Sequence, residues 1–420
     1  VVATVLSPIY PIAAETLFVG RELVTGTPPT TGYVTMPVVE LSPDPKQDML
    51  PDNANRGAIT TGPYDLQPGP YWAESQIKDS PLFGDTIGHV LFNIFGDLVS
   101  TGTASTPTWT TSGALAAGAT SIPVVTGAAA VQGTYVQVGT ASGTTENVMV
   151  GTGSTTTSIV LSALTPLRFS HLTAITITTI VAPFTHVFSL LNPASSTGSV
   201  SGQPPTHSIG HRNQTAGSGG NYADLYSYGC FSEVKLSGAA SGLLMWSGNL
   251  TSYGQQAPAS AFTPAPSGVH SIPSWKGIST IAGSPVSDVS NWGITLTREI
   301  EPIPTIDGQQ APSVIARGGL SGSWDLSFMP AIDQSALNNY LSNTQPTFLW
   351  TTSNGLSGAS QVSISVAAQL AGFTSAKLTK GKTVYGYDTS GDLIVNTTDA
   401  GNSGGFSPCQ VTLINSVGVY

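Results

Sequence analysis

Three stretches of the sequence carry residue types able to do chemistry. Residues 401–405 (GNSGG) fit a GxSxG pattern, in which Ser403 would attack a carbonyl while backbone amides hold the oxyanion and a histidine acts as base. The nearest candidate base is His171 (FSHLTA), which lies in a segment of different composition, and the 406–420 stretch is too short for the closing elements of a protease domain. A Gly-rich turn entering a last strand explains the motif without a nucleophile. His207 and His211 (THSIGH) have the four-residue spacing of a metal pair, but that spacing converges only on a helix, and Pro204, Pro205 and Gly210 oppose one. Glu299 and Glu301 are two carboxylates on one strand face, a solvated edge rather than the opposed pair of a glycosidase. No phosphate-binding loop or dinucleotide fingerprint is present. Catalytic, metal and cofactor roles are therefore not expected.

The elements that would have to position such groups are strands. Trp292, Ile294 and Leu296 alternate with polar neighbours, as do Trp324, Leu326 and Phe328, then Val362, Ile364 and Val366, and Cys409, Val411 and Leu413. Residues 226–254 read as one hairpin with a single inward face. Cys230, Val234 and Leu236 alternate with Phe231, Glu233 and Lys235, residues 237–242 turn the chain, and Leu244, Trp246 and Leu250 restore the apolar parity. Two helices are expected, at 85–98 with Asp85 as N-cap and Gly96 near its end, and at 332–342 before Pro346. The expected class is mainly β (α+β), a sandwich or barrel with flanking helices.

Two regions stand apart. Residues 103–182 carry only Glu146 and Arg168 as charges and consist of short β-branched runs separated by small-residue turns, as expected of a small β-sandwich or barrel inserted into a main domain of residues 1–102 and 183–420. Residues 42–80 contain so many prolines that a long irregular loop is expected, with Asp44, Lys46, Asp48, Asp52 and Arg56 as its charges and Tyr64, Tyr71 and Trp72 as aromatic anchors.

Composition points to assembly. The chain has 420 residues, enough for two or three cores, yet only 9% are charged, against about 25% in ordinary soluble domains. A surface so thinly charged is poorly defended against association. The net charge of −10 and the scattered lysines and arginines argue against a phosphate-gripping protein. Even Lys377, Lys380 and Lys382 read as a solvated turn. Cys230 and Cys409 are too few for a disulfide framework and read as small buried hydrophobes, with pairing left open. Residues 1–14 lack the pattern of a secretory signal, and no stretch is apolar enough for a membrane helix, so assembly in the cytoplasm is expected, without membrane insertion or glycosylation at Asn213, Asn249 or Asn396.

Several features in order resemble the tail tube proteins of long, non-contractile-tailed bacteriophages. They are Gly20–Arg21–Glu22 with Gly26, Pro28 and Pro29, the 37–41 run, the proline-rich segment 45–57, the segments 184–192 (FTHVFSLLN) and 203–213 (QPPTHSIGHRN), and the Gly-Cys step opening the hairpin. The resemblance covers roughly residues 15–102 and 183–420 and no single motif carries it. It implies a structural virion protein, assembled in a bacterial cytoplasm, whose hexameric rings stack into a hollow tube. Its partners would be further copies of itself, a tape measure protein and the tail terminator and distal tail proteins. It also implies a long loop, matched by residues 42–80, that reaches the adjacent ring, and a lumen passing double-stranded DNA, for which Glu233, Glu299 and Asp325 are the candidate repelling acids. Other virion proteins, such as a capsid decoration or fibre subunit, and a secreted β-sandwich hydrolase are the alternative readings.

Overall fold

The computed structural model describes residues 15–54, 62–139, 145–192, 203–214, 221–259, 261–265, 267–286, 288–329, 335–380 and 385–420. Strands dominate. In chain order they are β1 (Glu15–Arg21), β2 (Val34–Met36), β3 (Leu41–Asp52) and β4 (Asp65–Pro81), then helix α1 (Ile87–Phe95) and β5 (Gly96–Thr110). Next come β6 (Ser121–Pro123), β7 (Tyr135–Val138), β8 (Glu146–Met149), β9 (Ser158–Val160) and β10 (Thr176–Leu190). They are followed by β11 (His207–Gln214), β12 (Asn221–Ala239), β13 (Leu244–Tyr253), β14 (Ile278–Ile281), β15 (Ser284–Val286), β16 (Val289–Ile303) and β17 (Val314–Phe328). After helix α2 (Ser335–Leu341) the chain closes with β18 (Phe348–Ser353), β19 (Ser363–Ala368), β20 (Ala371–Lys380), β21 (Tyr385–Leu393) and β22 (Gln410–Asn415).

A sheet of eleven strands contains the run β3–β4–β13–β12–β16–β17–β21–β20, all antiparallel, with β11, β1 and β2 continuing from the first half of β12. A second sheet of nine strands runs β15–β14–β18–β19–β22–β10–β7–β8, with β5 on β10. Their facing sides share one core, in which Trp246, Trp292, Ile294, Leu296, Trp324 and Leu326 of the first sheet meet Trp350, Ile364, Val366, Val411 and Leu413 of the second. The rings of Trp292 and Trp350 stack at 3.7 Å between centroids. The alternations read from sequence supply this core because period two puts every second residue on one side.

Helix α1 lies in the same core, and every one of its residues is buried. It ends where the sequence says: Gly96 adopts the left-handed conformation (φ 85°) and its N–H returns to the Phe92 carbonyl. Its N-cap, however, is Thr86 without a side-chain capping bond, because Asp85 instead accepts from the Ser267 hydroxyl at 2.6 Å. Of the second expected helix, Ser335–Leu341 is helical, Ile332 lies outside the described residues, and no residue of α2 is buried.

The long hairpin also departs from simple alternation. β12 and β13 pair with Leu236 opposite Trp246, but a bulge between Phe231 and Glu233 inserts one residue. Phe231 therefore joins Val234 and Leu236 in the main core, while Cys230 turns to a small cluster with Tyr228 and Ile315. Both cysteines are buried and free. Gly229 precedes this step because β11 crosses so closely that an added Cβ would sit 2.5 Å from the His207 carbonyl oxygen.

Residues 42–80 are not an irregular loop. β3 and β4 form a long hairpin, with Leu41 opposite Ile77 and Asp52 opposite Asp65. Pro43, Pro45 and Pro51 share one parity along the edge strand β3, and Pro68 and Pro70 lie where β4 has run past its β13 partner. Prolines cost a strand nothing where the missing N–H faces an open edge.

Within residues 103–182 the short runs form β6 to β9 around a separate core of Trp109, Ile122, Val136, Val148, Ile159 and neighbours. The crossings are not loops. β5 and β10 pair from Gly96/Leu190 to Thr110/Thr176 as one ribbon, with register shifts between Thr178 and Thr179 and between Val181 and Phe184. The junction is stapled by polar groups: Arg168 donates to the Leu98 and Gly96 carbonyls at 3.2 and 3.5 Å over the Phe92 ring, Arg21 reaches the Leu164 carbonyl at 2.8 Å, and Asn147 reaches that of Gly418 at 3.3 Å.

Trp246 is 2% exposed in the main core. Trp246→Ala should cost about 3–5 kcal/mol in denaturant titration, and a loss of ~1 kcal/mol or less would contradict its place there.

Three buried histidines give the fold an acid limit. His89 packs edge-on against His207 and Tyr420, and His186 receives the Ser100 hydroxyl at Nδ1 (2.8 Å) while donating from Nε2 to the Val417 carbonyl (2.7 Å). Burial pushes His89 down to about 3 and His186 to about 4, and His207 well below its ordinary value. A histidine whose folded pKa lies below its unfolded value costs nothing above the unfolded value, near 6.5, and destabilises progressively as pH falls towards the folded one. We predict a stability plateau above pH ~6.5 and a loss of about 2 kcal/mol for each of His89 and His186 by pH ~5, with His207 acting in the same direction. A flat profile from pH 7.5 to 5 in denaturant titrations would contradict this.

Candidate functional site

The side of the large sheet turned away from the core is almost wholly polar. On β12 it presents Glu233, Lys235 and Ser237, on β16 Thr295 and Thr297, and on β17 Ser321, Ser323 and Asp325. Continuing outward, β21 adds Asp388, Ser390 and Asp392, opposite Lys377, Ser375 and Gly372 of β20. In the other direction Asn249 of β13 and Gln76, Glu74 and Asp44 of β4 and β3 extend the same face. The register aligns these groups across the strands: Glu233 faces Thr297, which faces Ser321, and Ser237, Gly293, Asp325 and Ser390 form another row. Glu233 is half-buried and held by the Asn249 amide at 3.4 Å, whereas Asp325 is exposed. Glu299 is exposed beside the Arg298/Ile300 bulge, and β16 continues past Pro302 to Ile303. Asp388 and Asp392 were not among the sequence candidates, although the alternation Asp388, Ser390, Asp392 is the signal that finds them.

The arginines of β16 and β17 are placed on the opposite side, while Lys235 and Lys377 stay on this one. Arg298 and Arg317 are buried, donating to the Ile94 and Gly318 carbonyls and to those of Pro204 and Pro205. Burial, with Arg317 nearby, pushes Arg298 down to about 10, and burial likewise takes Arg21 to about 10. Buried Glu22 is held by neutral donors: the N–H groups of Gly26 and Tyr228 and the hydroxyls of Thr206 and Ser208, at 2.5–2.8 Å.

The hairpins project from opposite ends of this sheet. At one end stand the tips of β3–β4 and β16–β17, joined where Tyr71 N–H donates to the Gln310 carbonyl at 2.8 Å and the Gln310 amide to that of Gly69 at 3.3 Å. This end carries Asp48, Asp52 and Asp65 with Glu301 and Asp307, and Lys46 is paired with Asp44 and, at 3.8 Å, Glu74. Of the expected aromatic anchors, Tyr64 ties its N–H to the Asp52 carbonyl (2.8 Å), Trp72 is half-buried with its indole N–H 3.4 Å from Glu74, and Tyr71 packs flat over Gly254. Arg56 lies outside the described residues. At the other end is the β20–β21 hairpin. Lys377 and Lys380 are in β20 rather than in a turn, and Lys382 lies outside the described residues.

The chemical candidates are dispersed. Ser403 is buried, with its hydroxyl donating to the Leu190 carbonyl (3.3 Å) and accepting the Asn192 N–H (3.1 Å), and Gly404 and Gly405 hold the positive φ of a turn. His207 and His211 are on a strand, His207 against Asn93 in the interior and His211 3.3 Å from Glu15 at the sheet margin. His171 pairs with Glu146 at 2.8 Å inside the second core. No cluster of metal-ligating side chains occurs among the described residues. No helix among them is long and apolar enough to cross a membrane.

A scan against protein-family models and a search of curated proteins give no match to the chain.

The β3–β4 tip can be removed without opening the core. Its core residues Ala73 and Ile77 lie beyond the Lys46/Trp72 rung, so deletion of residues 42–80 would destroy the sheet, whereas joining Lys46 to Trp72 by a two-residue turn in place of residues 47–71 should not. We expect the shortened chain and the full chain to unfold with the same cooperativity; loss of the cooperative transition in the shortened chain alone would show the tip to be part of the folding unit.

Proposed function

We propose that this chain is a self-assembling structural subunit of a phage tail tube, its rings closed edge to edge through the large sheet and stacked end to end. The observation that carries the reading is the outer face of that sheet: an extended surface of hydroxyls and carboxylates with only Lys235 and Lys377 among them, arginines turned inward, and open strands β3 and β20 at the ends of its eight-strand run. Open edges are templates for pairing, and pairing β3 of one copy with β20 of the next removes both. Such closure would put Glu233, Asp325, Asp388 and Asp392 on a common wall. A wall without net positive charge gains no counterion-release free energy from a duplex, so DNA slides along it.

The segment centred on β6 to β9 has its own core, which supports putting it on the outside of the tube, away from that wall. The β3–β4 and β16–β17 tips at one end, and the β20–β21 hairpin at the other, are positioned for contacts along the tube axis.

Negative-stain microscopy of the purified chain tests the reading: stacked rings or tubes are expected, and compact monomers over the accessible concentration range would reject it. Replacing residues 102–181 by a short Gly/Ser linker, at the rungs where Thr103 faces Val181 and Gly102 faces Phe184, should narrow the tube outside and leave the bore unchanged. Failure of rings to form would show the segment to be part of the assembly core. The wall makes a separate prediction. Glu233→Lys, Asp325→Lys and Asp392→Lys together should make assembled tubes retain duplex DNA, with a retention that falls steeply as salt rises. Unchanged, salt-independent retention would place those residues elsewhere.

A further inference from the structure

Of the seven tryptophans only Trp275 is exposed, at 68%. Its position is fixed by the backbone around it. The turn Ser274–Lys276 that carries it is tied at its start by the Ser274 N–H to the Gly242 carbonyl (3.0 Å) and at its end by the Gly277 N–H to the Ser274 carbonyl (2.9 Å). Lys276 donates to the Asn354 carbonyl at 3.0 Å and brings its ammonium to 5.9 Å from the centre of the Trp275 ring. Beside this indole a pocket of about 370 Å³ opens between the β14–β15 hairpin, the end of β12 and the start of β16. Ile278, Val286 and Val289 line it together with the stacked rings of Trp292 and Trp350. No charged side chain lines it among the described residues.

Two polar groups of this lining are unsatisfied. Ser274 is 7% and Trp292 5% exposed, and neither the Ser274 hydroxyl nor the Trp292 indole N–H has a hydrogen-bond partner. They come together at Gly238, where an added Cβ would lie 2.5 Å from each. Gly277 likewise keeps a side chain off the Trp350 indole nitrogen, which a Cβ would approach to 2.8 Å. A buried indole N–H ordinarily finds an acceptor, and leaving it unmet is costly. We propose that this pocket binds one unit of a neutral saccharide, its C–H face on the Trp275 indole and a hydroxyl oxygen shared by the Trp292 N–H and the Ser274 hydroxyl. The lining selects this class. A phosphate or carboxylate would enter without a cation to receive it and an ammonium without a carboxylate, while a pure hydrocarbon would leave both polar groups unmet. A water molecule alone would meet them and leave Trp275 bare. A sugar ring supplies an apolar face together with hydroxyls that both accept and donate. A mostly apolar pocket of this volume with a few placed polar groups is the usual form of a small-ligand site. The inference goes beyond the tube reading and does not rest on it.

The test titrates the full-length chain with glucose, galactose, mannose, rhamnose and N-acetylglucosamine, as single sugars and as their trisaccharides, following tryptophan fluorescence and the heat of binding. At least one of them should bind saturably, with an affinity that added salt leaves unchanged because no ion pair forms. Trp275→Ala, at an exposed position, should weaken that binding about tenfold or more. Trp292→Phe, which keeps a ring in the core and removes the indole N–H, should weaken it several-fold. Both variants are compared with the wild type by circular dichroism, and if Trp292→Phe does not fold, Trp275→Ala decides alone. No saturable binding by any of these sugars at tens of millimolar, or binding that Trp275→Ala leaves unchanged, overturns the proposal. Saturation by a proline-rich peptide with none by the sugars also overturns it, because it shows a peptide groove.

Discussion

A helix buried on every side commits the structure around it, because each polar group that it carries into the core must find a partner there. Asn93 of α1, fully buried, is the clearest case. Its amide nitrogen reaches the Gly229 carbonyl at 2.8 Å, the Pro205 carbonyl at 3.2 Å and His207 Nδ1 at 3.0 Å, while its oxygen accepts the Phe231 N–H at 2.8 Å. One side chain thus fixes where β12 passes, where the 203–206 segment lies and where the bulge falls. The last helical carbonyls are met in the same way, that of Ile94 by Arg298 and that of Phe95 by the Leu191 N–H. Leaving such a buried group unmade costs about 1–3 kcal/mol each, so the strands that supply the partners are not free to shift register.

This constraint explains which parts of the fold were legible in the sequence. Period-two runs at Trp292, Trp324, Ile364 and Val411 needed only a buried side, and they are core strands as read. Cys230 and Phe231 were assigned to the wrong sides because a bulge, which leaves no mark on alternation, follows from the bond between Phe231 and Asn93 of a helix far away in sequence. The proline-rich stretch failed for another reason. Proline speaks against a ladder hydrogen bond but not against an edge strand, and whether a strand has an edge is a property of the whole sheet. Asp85 has the residue type of a cap, but its carboxylate accepts from the hydroxyl of Ser267, another distant partner, and the N-cap is Thr86.

Of the candidate site, the acids Glu233 and Asp325 were readable as polar members of alternating strands, and register then places them on one face with Asp388 and Asp392. Their relation to the arginines was not readable. The chain has 13 basic and 23 acidic side chains, and a count alone does not say that Arg298 and Arg317 serve carbonyl groups in the interior. Arginine suits that use because its fork of donors satisfies two carbonyls at once and stays charged even when burial lowers its pKa. Turning those cations inward makes the outward face more acidic than the formal charge suggests.

The same economy of charge sets what the surfaces can do. A face of serine, threonine and carboxylates that outnumber its lysines, Lys235 and Lys377, offers little apolar area to hold a partner and no net positive charge to hold a phosphate, so it favours contact without retention. The β3–β4 and β16–β17 tips differ, because there Met49, Leu50, Leu66, Ile303, Ile306 and Val314 are exposed among mostly acidic neighbours. In the proposed tube, association runs along the strand axis and at the open edges rather than across this polar face. The proposed assembly takes its direction from where the chain's few charges are placed, and a chain with 9% charged residues has little other means of deciding which of its surfaces stay apart.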